Sequence, residues 1–159
     1  MEQKFFSKWL KVILIGVAVC GLVVYAFVVP MYGLNLRSLH SEFSNCFWPW
    51  LIFIWVSGIP CFMVLYYAWR IVTNIGKDQS FTGTNASMLK SISVLSALDA
   101  AFFFVGNIVL LFLNMSHPGV VIASLVIVFV GVAVAVISAA LSHLVKKAAA
   151  LQDQSDWTI

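Results

Sequence analysis

One acidic side chain stands inside an otherwise apolar run. Asp99 interrupts the stretch Ser91 to Met115. At about 1.5 Å of helical rise per residue it lies roughly 13 Å beyond Lys90, near the middle of a bilayer core about 30 Å thick. A carboxyl group at that depth is costly and marks a functional site by default. No Lys or Arg occupies that depth in the other apolar runs. Asp99 must therefore be protonated, hydrogen-bonded, or bathed in internal water. Ser96 and Asn107 fall near it on one helical face and extend it into a polar stripe. Ser57, and Ser124 or Ser138, are hydroxyls that neighbouring helices could offer. Three chemistries fit: a proton or cation site, a neutral hydrogen-bonded acid that holds helices together, and a ligand-sensing pocket.

The remaining reactive residues converge on nothing. Cys20 and Cys61 lie within apolar runs, where Cys behaves as a small hydrophobe, and Cys46 lies between runs. No C-x-x-C occurs. His40, His117 and His143 lack metal-ligand spacing. His40 and His117 share one side of the chain's topology, as a pH-sensing pair would require. There is no Ser-His-Asp set, phosphate-binding glycine loop or nucleic-acid-binding stripe. These residues imply no enzyme, no cofactor, no metal and no direct nucleic-acid contact.

The elements that must position Asp99 follow from composition. Of 159 residues 62% are apolar and 9% charged, against roughly 25% charged in soluble domains. So few charges cannot cover a soluble monomer. Disorder is excluded by the apolar content, and a disulfide scaffold by three cysteines. Four runs match the roughly 20 residues that a transmembrane helix needs: 12–32, 47–69, 91–115 and 120–141. They are too long, and too apolar on every side, for membrane β-strands. The first lacks a small-residue cleavage site and reads as a retained helix rather than a signal peptide. The expected fold is an all-α, four-transmembrane-helix bundle over residues 1–159, with a loop at 70–90 and a tail at 142–159.

Orientation follows from Lys and Arg in the connections. Lys4, Lys8, Lys11, Arg70, Lys77, Lys90, Lys146 and Lys147 fall on one side, and Arg37 alone on the other. Both termini are therefore expected in the cytoplasm. Trp9, Tyr32, Trp48, Trp50, Tyr66, Tyr67 and Trp69 lie at the run ends, where amphipathic rings meet headgroups.

Small residues predict the packing. Ser124, Gly131, Ala135, Ser138 and Ser142 lie near one face of the fourth run, with Ala139 continuing the Gly131–Ala135 spacing. Such faces let helices approach closely in lipid, here within the chain or, alternatively, in a homodimer. Gly16 and Cys20 form a similar pair. Gly58 and Pro60 suggest a kink in the second run.

Gly76 is a plausible helix stop, Thr82 or Ser80 an N-cap, and Phe81 the apolar residue of a staple. The tail's Ala, Leu, Lys and Gln continue the fourth helix. Leu144, Ala148 and Leu151 share a face there, while Lys146 and Lys147 face anionic lipid. The chain ends Asp156-Trp157-Thr158-Ile159. Two apolar side chains at a solvated end, together with Phe81, suggest a docking surface.

The loop pattern Gly76-Lys77, Ser80-Phe81-Thr82, Asn85 and Leu89-Lys90-Ser91-Ile92, with the ending Leu141, Lys146, Ala149, Leu151 and Asp156-Trp157-Thr158-Ile159, resembles the bacterial domain-of-unknown-function family 2975. The resemblance spans nearly the whole chain. It implies a multi-pass protein of a bacterial cytoplasmic membrane and association with small helix-turn-helix regulators, and it carries no catalytic residues. The expected function is a non-enzymatic regulatory or interaction protein that contacts such a partner through loop and tail. The alternative is a small transporter, or transporter subunit, using Asp99.

The charge asymmetry makes a direct prediction. A reporter fused after Ile159 is expected in the cytoplasm, and a membrane-impermeant thiol reagent should label Cys46 in intact cells. Labelling that requires broken membranes would reverse the orientation.

Overall fold

A computed structural model describes residues 2–39 and 46–156. The described chain is helical throughout apart from short connections: α1 (Glu2–Val23), a π-helical turn (Val24–Val28), α2 (Val29–Leu39), α3 (Phe47–Ile75), α4 (Gly83–Phe112) and α5 (Pro118–Asp156). Helix runs unbroken from α1 through the π turn into α2, forming the first of four elements long and apolar enough to cross a membrane. The helices outrun the apolar stretches at several ends. α4 begins at Gly83, and α5 continues well past Leu141. At about 1.5 Å per residue the 39 residues of α5 extend about 58 Å, nearly twice a hydrocarbon core.

The bundle is open. The first span rests on α3, α3 on α4, and α4 on α5, the last pair forming the most extensive seam. The first span and α3 are antiparallel and meet at several levels along their length. Ser7 Oγ donates to the Val72 carbonyl at 2.8 Å, Gly21 faces the Phe62 ring, and Gly33 faces Phe47. The α4–α5 seam uses the small-residue face expected of the fourth run. Ser124, Ala135 and Ser138 are buried, a Cβ on Gly131 would lie 3.1 Å from that of Ala100, and Ser142 Oγ donates to the Ala86 carbonyl at 2.7 Å. Ala139 lies off the seam and is exposed. Phe53 stacks on Phe103, with centroids 5.3 Å apart, and closes over Gly106, where no side chain would fit.

Helix ends show where local rules were modified. Gly76 does not stop α3 by adopting a left-handed conformation; its φ is −66°. The stop is Asp78, at φ 59°, with Asp78 N–H donating to Ile75 O at 3.1 Å and Gln79 N–H to Asn74 O at 3.0 Å. That double bond pattern around a left-handed residue satisfies the last carbonyls of a helix. Glycine is needed at 76 for another reason: a Cβ there would meet Ser7 Oγ at 2.7 Å. The turn after α4 repeats the device with Asn114 at φ 55° and Met115 N–H donating to Leu110 O at 2.9 Å. His117 caps α5, its Nδ1 accepting from Gly119 N–H at 3.1 Å. This local role accounts for His117, and His40 lies outside the described residues.

Thr82 is the N-cap of α4, accepting from Asn85 N–H at 3.3 Å. Asn85 holds the connection together. Its Nδ2 donates to the carbonyls of Gln79 at 2.8 Å and Ser80 at 3.0 Å, and its Oδ1 accepts from Asn74 Nδ2 at 2.7 Å. It is 1% exposed, so no water replaces these bonds. Asn85→Ala should destabilise the protein by about 1–3 kcal/mol, the penalty for leaving a buried polar group unpaired. Denaturant titration of the detergent-solubilised protein would read this loss, with far-UV circular dichroism as the probe.

Candidate functional site

A polar cluster forms where the first span, α3 and α4 meet away from the helix ends. Its first member comes from a break in backbone regularity. Within the π turn, Val29 N–H donates to Val24 O. The next donor in that register would be residue 30, which is Pro and has no N–H. Tyr25 O is thereby left without that main-chain donor, and Trp55 Nε1 of α3 supplies one at 3.0 Å. A buried or lipid-facing carbonyl needs such a partner. Beside this contact the Tyr25 ring packs on Gly58, where an added Cβ would lie 3.0 Å from Cε1.

The Tyr25 phenol lies near Ser57 and Cys61, four residues apart on α3 and hence on one face. Cys61 Sγ lies 3.6 Å from Asp99 Oδ2 as a donor, and Ser57 also lies against that carboxyl. Asp99 Oδ1 is buried and makes no hydrogen bond. One acid, a thiol, a hydroxyl and a phenol thus adjoin one another. Among the described residues no cluster could hold a metal ion, and no cation touches Asp99.

Ser96 and Asn107 do not join Asp99. The Ser96 main chain and Ala100 face Gly131 of α5, and Asn107 lies seven residues beyond Ala100, on the same side of α4. Asn107 is fully buried, its Nδ2 donating to Phe103 O at 2.8 Å while its Oδ1 has no partner. Asp99 turns toward α3. The polar stripe is therefore divided between two seams. Ser57, anticipated as a neighbour, is in place. Cys61 is more than a small hydrophobe, since it touches the carboxyl. Tyr25 was not anticipated; its signal is a Tyr far from either headgroup level, five residues before a Pro. α3 runs through Pro60 as one helix, and Gly58 accommodates a ring rather than a break.

A second site lies at the opposite, basic end of the helices. The first turn of α1, the α3–α4 connection and the projecting part of α5 surround a cavity of about 380 Å³. Gln3, Asp78, Phe81, Gln152 and Asp153 contribute to its walls. Phe81 is 56% exposed. Trp157 and Ile159 lie outside the described residues. Leu144 and Leu151 on α5 are also exposed.

Over residues 34–159 the sequence matches the family described as a protein of unknown function, DUF2975. The chain belongs to that family. The match contains Ser57, Cys61, Phe81, Asn85 and Asp99, while Tyr25 precedes it. A relative across the whole length is the uncharacterized membrane protein YoaS of Bacillus subtilis (strain 168), 26% identical over 161 residues that cover 99% of each chain. No solved structure matches. Four candidate spans and this likeness make the family member a multi-pass membrane protein.

Removing the donor to Tyr25 tests the cluster's scaffold. Trp55→Phe should lower stability by about 1 kcal/mol, the scale of an interhelical hydrogen bond in a membrane. Trp48→Phe, which removes no hydrogen bond, should not. Unfolding of both variants in mixed micelles would compare them.

Proposed function

We propose that this DUF2975 member is a non-enzymatic regulatory protein of the bacterial cytoplasmic membrane. It holds both termini in the cytoplasm and presents its basic end to a soluble protein. The observation that carries this reading is the cavity where α1, the α3–α4 connection and α5 converge, with Phe81 exposed at its wall. A membrane-embedded bundle has no need of an α5 that projects so far, nor of Leu144 and Leu151 exposed along it. The cavity wall carries the carboxylates of Asp78 and Asp153 and no Lys or Arg. It suits a partner that offers an apolar side chain beside basic ones. A small helix-turn-helix regulator, the partner that the family resemblance implies, has that character, because DNA-binding surfaces are basic. Trp157 and Ile159 would complete the contact from the tail. Burying each fully is worth roughly 1.5–3 kcal/mol.

A second reading rests on the mid-membrane cluster. Asp99 with Tyr25, Ser57 and Cys61 supplies the ionisable acid and hydroxyl ligands of a proton or cation path, as a small transporter would need.

Affinity purification of the full chain from native membranes, with mass spectrometry of what is retained, separates the two. A helix-turn-helix regulator should accompany the full chain. Recovery should fall more than tenfold after truncation following Gln154, since about 1.4 kcal/mol is a factor of ten. Phe81→Ser should weaken it in the same direction, and Asp99→Asn should leave it unchanged. Equal recovery with all forms would remove the docking reading. Loss of a proton or cation flux in a well-folded Asp99→Asn protein would establish the transport reading.

A further inference from the structure

The seam between α1 and α3 opens toward lipid as a groove of about 470 Å³. One wall is a stripe of α3: Trp55, Ile59, Phe62, Met63 and Tyr66. These positions recur at helical spacing and so stand on one face. Tyr25 of the π turn forms the other wall. The side chains are apolar or aromatic, and Trp55, Ile59, Met63 and Tyr66 are 47%, 60%, 43% and 57% exposed.

Two dimensions decide what fits. From Trp55 to Tyr66 is eleven residues, or about 16 Å of helix. That is about half of a hydrocarbon core roughly 30 Å thick, the depth of a single leaflet. The groove also has a charged end. The Arg70 guanidinium lies 6.0 Å from the Tyr66 ring centroid. Nearby, Lys11 Nζ of α1 lies 5.3 Å from the Trp69 ring centroid. The rings hold both cations at the end of the stripe through cation–π attraction. Neither cation has a carboxylate partner among the described residues.

An apolar channel one leaflet deep, ending at two cations on headgroup-level aromatic rings, is complementary to one class of molecule. The geometry points to a binding site for a single anionic phospholipid, with an acyl chain along the α3 stripe and its phosphate between Arg70 and Lys11. The lipid chain would lie against Tyr25, whose phenol is near Ser57 and Cys61, and Cys61 in turn meets Asp99. Occupancy would therefore bear on the polar cluster. The site is independent of whether a cytoplasmic partner docks at the other surface.

Native mass spectrometry of the full chain tests this, with the protein released from phosphatidylcholine bilayers containing a minority of phosphatidylglycerol. The wild-type chain should retain one phosphatidylglycerol in preference to phosphatidylcholine. Arg70→Gln and Lys11→Gln should each lower the bound-to-free ratio about fivefold, the factor for about 1 kcal/mol per basic residue near an anionic surface. Lys77→Gln removes the same charge from the α3–α4 connection, which does not line the groove, and should leave the ratio unchanged. Ile59→Trp fills the groove from an already lipid-facing position and should displace the lipid while circular dichroism shows intact helix. Excess inorganic phosphate should not compete. Equal losses from Arg70→Gln and Lys77→Gln would show only general attraction to charge and overturn the site. Retention of the lipid by a folded Ile59→Trp protein, or its displacement by inorganic phosphate, would overturn it equally.

Discussion

Hydrocarbon offers a peptide group no hydrogen-bond partner, and this chain places a proline inside two of its spans. Each removes a donor from the helix ladder. At Pro30 the consequence is visible. The helix widens into a π turn, the carbonyl of Tyr25 lacks its next donor in that register, and the indole of Trp55 reaches across from α3 to serve it. That bond locks the first span to its one extensive neighbour at mid-depth. Beside it the Tyr25 ring packs on Gly58, with the phenol near Ser57 and Cys61. Tyr25 thus joins the polar cluster from a part of the first span where a backbone defect had to be satisfied.

Close approach does the rest. Without a strong hydrophobic drive between helices in lipid, packing depends on where backbones can come near one another. Gly76 admits Ser7, Gly106 admits Phe53, and Gly131 admits Ala100. The first contact closes one end of the α1–α3 seam, the second joins α3 to α4, and the third joins α4 to α5. Because each seam links neighbours in chain order, the bundle stays open and leaves a lipid-facing groove beside the first span.

The two ends of the helices are built differently. At one end, Trp50 Nε1 donates to Met115 O at 3.0 Å, tying the start of α3 to the tight α4–α5 turn. At the other, the α3–α4 connection is organised around buried Asn85, while Phe81 is left outside. An ordered loop thus leaves one aromatic side chain exposed beside the long C-terminal part of α5, and the proposed function rests on that surface.

Composition alone determined that this is a four-span helical membrane protein, because so few charges exclude every soluble alternative and the apolar runs have the length of a bilayer crossing. The loop and tail residues carried the family, and Thr82 as N-cap and the small face of the fourth span were legible because caps and periodic small residues are local signals. Asp99 was legible as an oddity, since one acid in an apolar run needs no neighbours to be noticed. Its company was not. Ser96 and Asn107 share a sequence neighbourhood with Asp99 but face α5. Tyr25 and Cys61, distant in sequence, reach the cluster because α3 packs against the first span on one side and α4 on the other. Gly76 reads as a helix stop, yet Asp78 makes the turn and Gly76 makes room for Ser7. Local propensity sets what a residue can do, but only the tertiary structure decides which face it presents and which side chain arrives opposite.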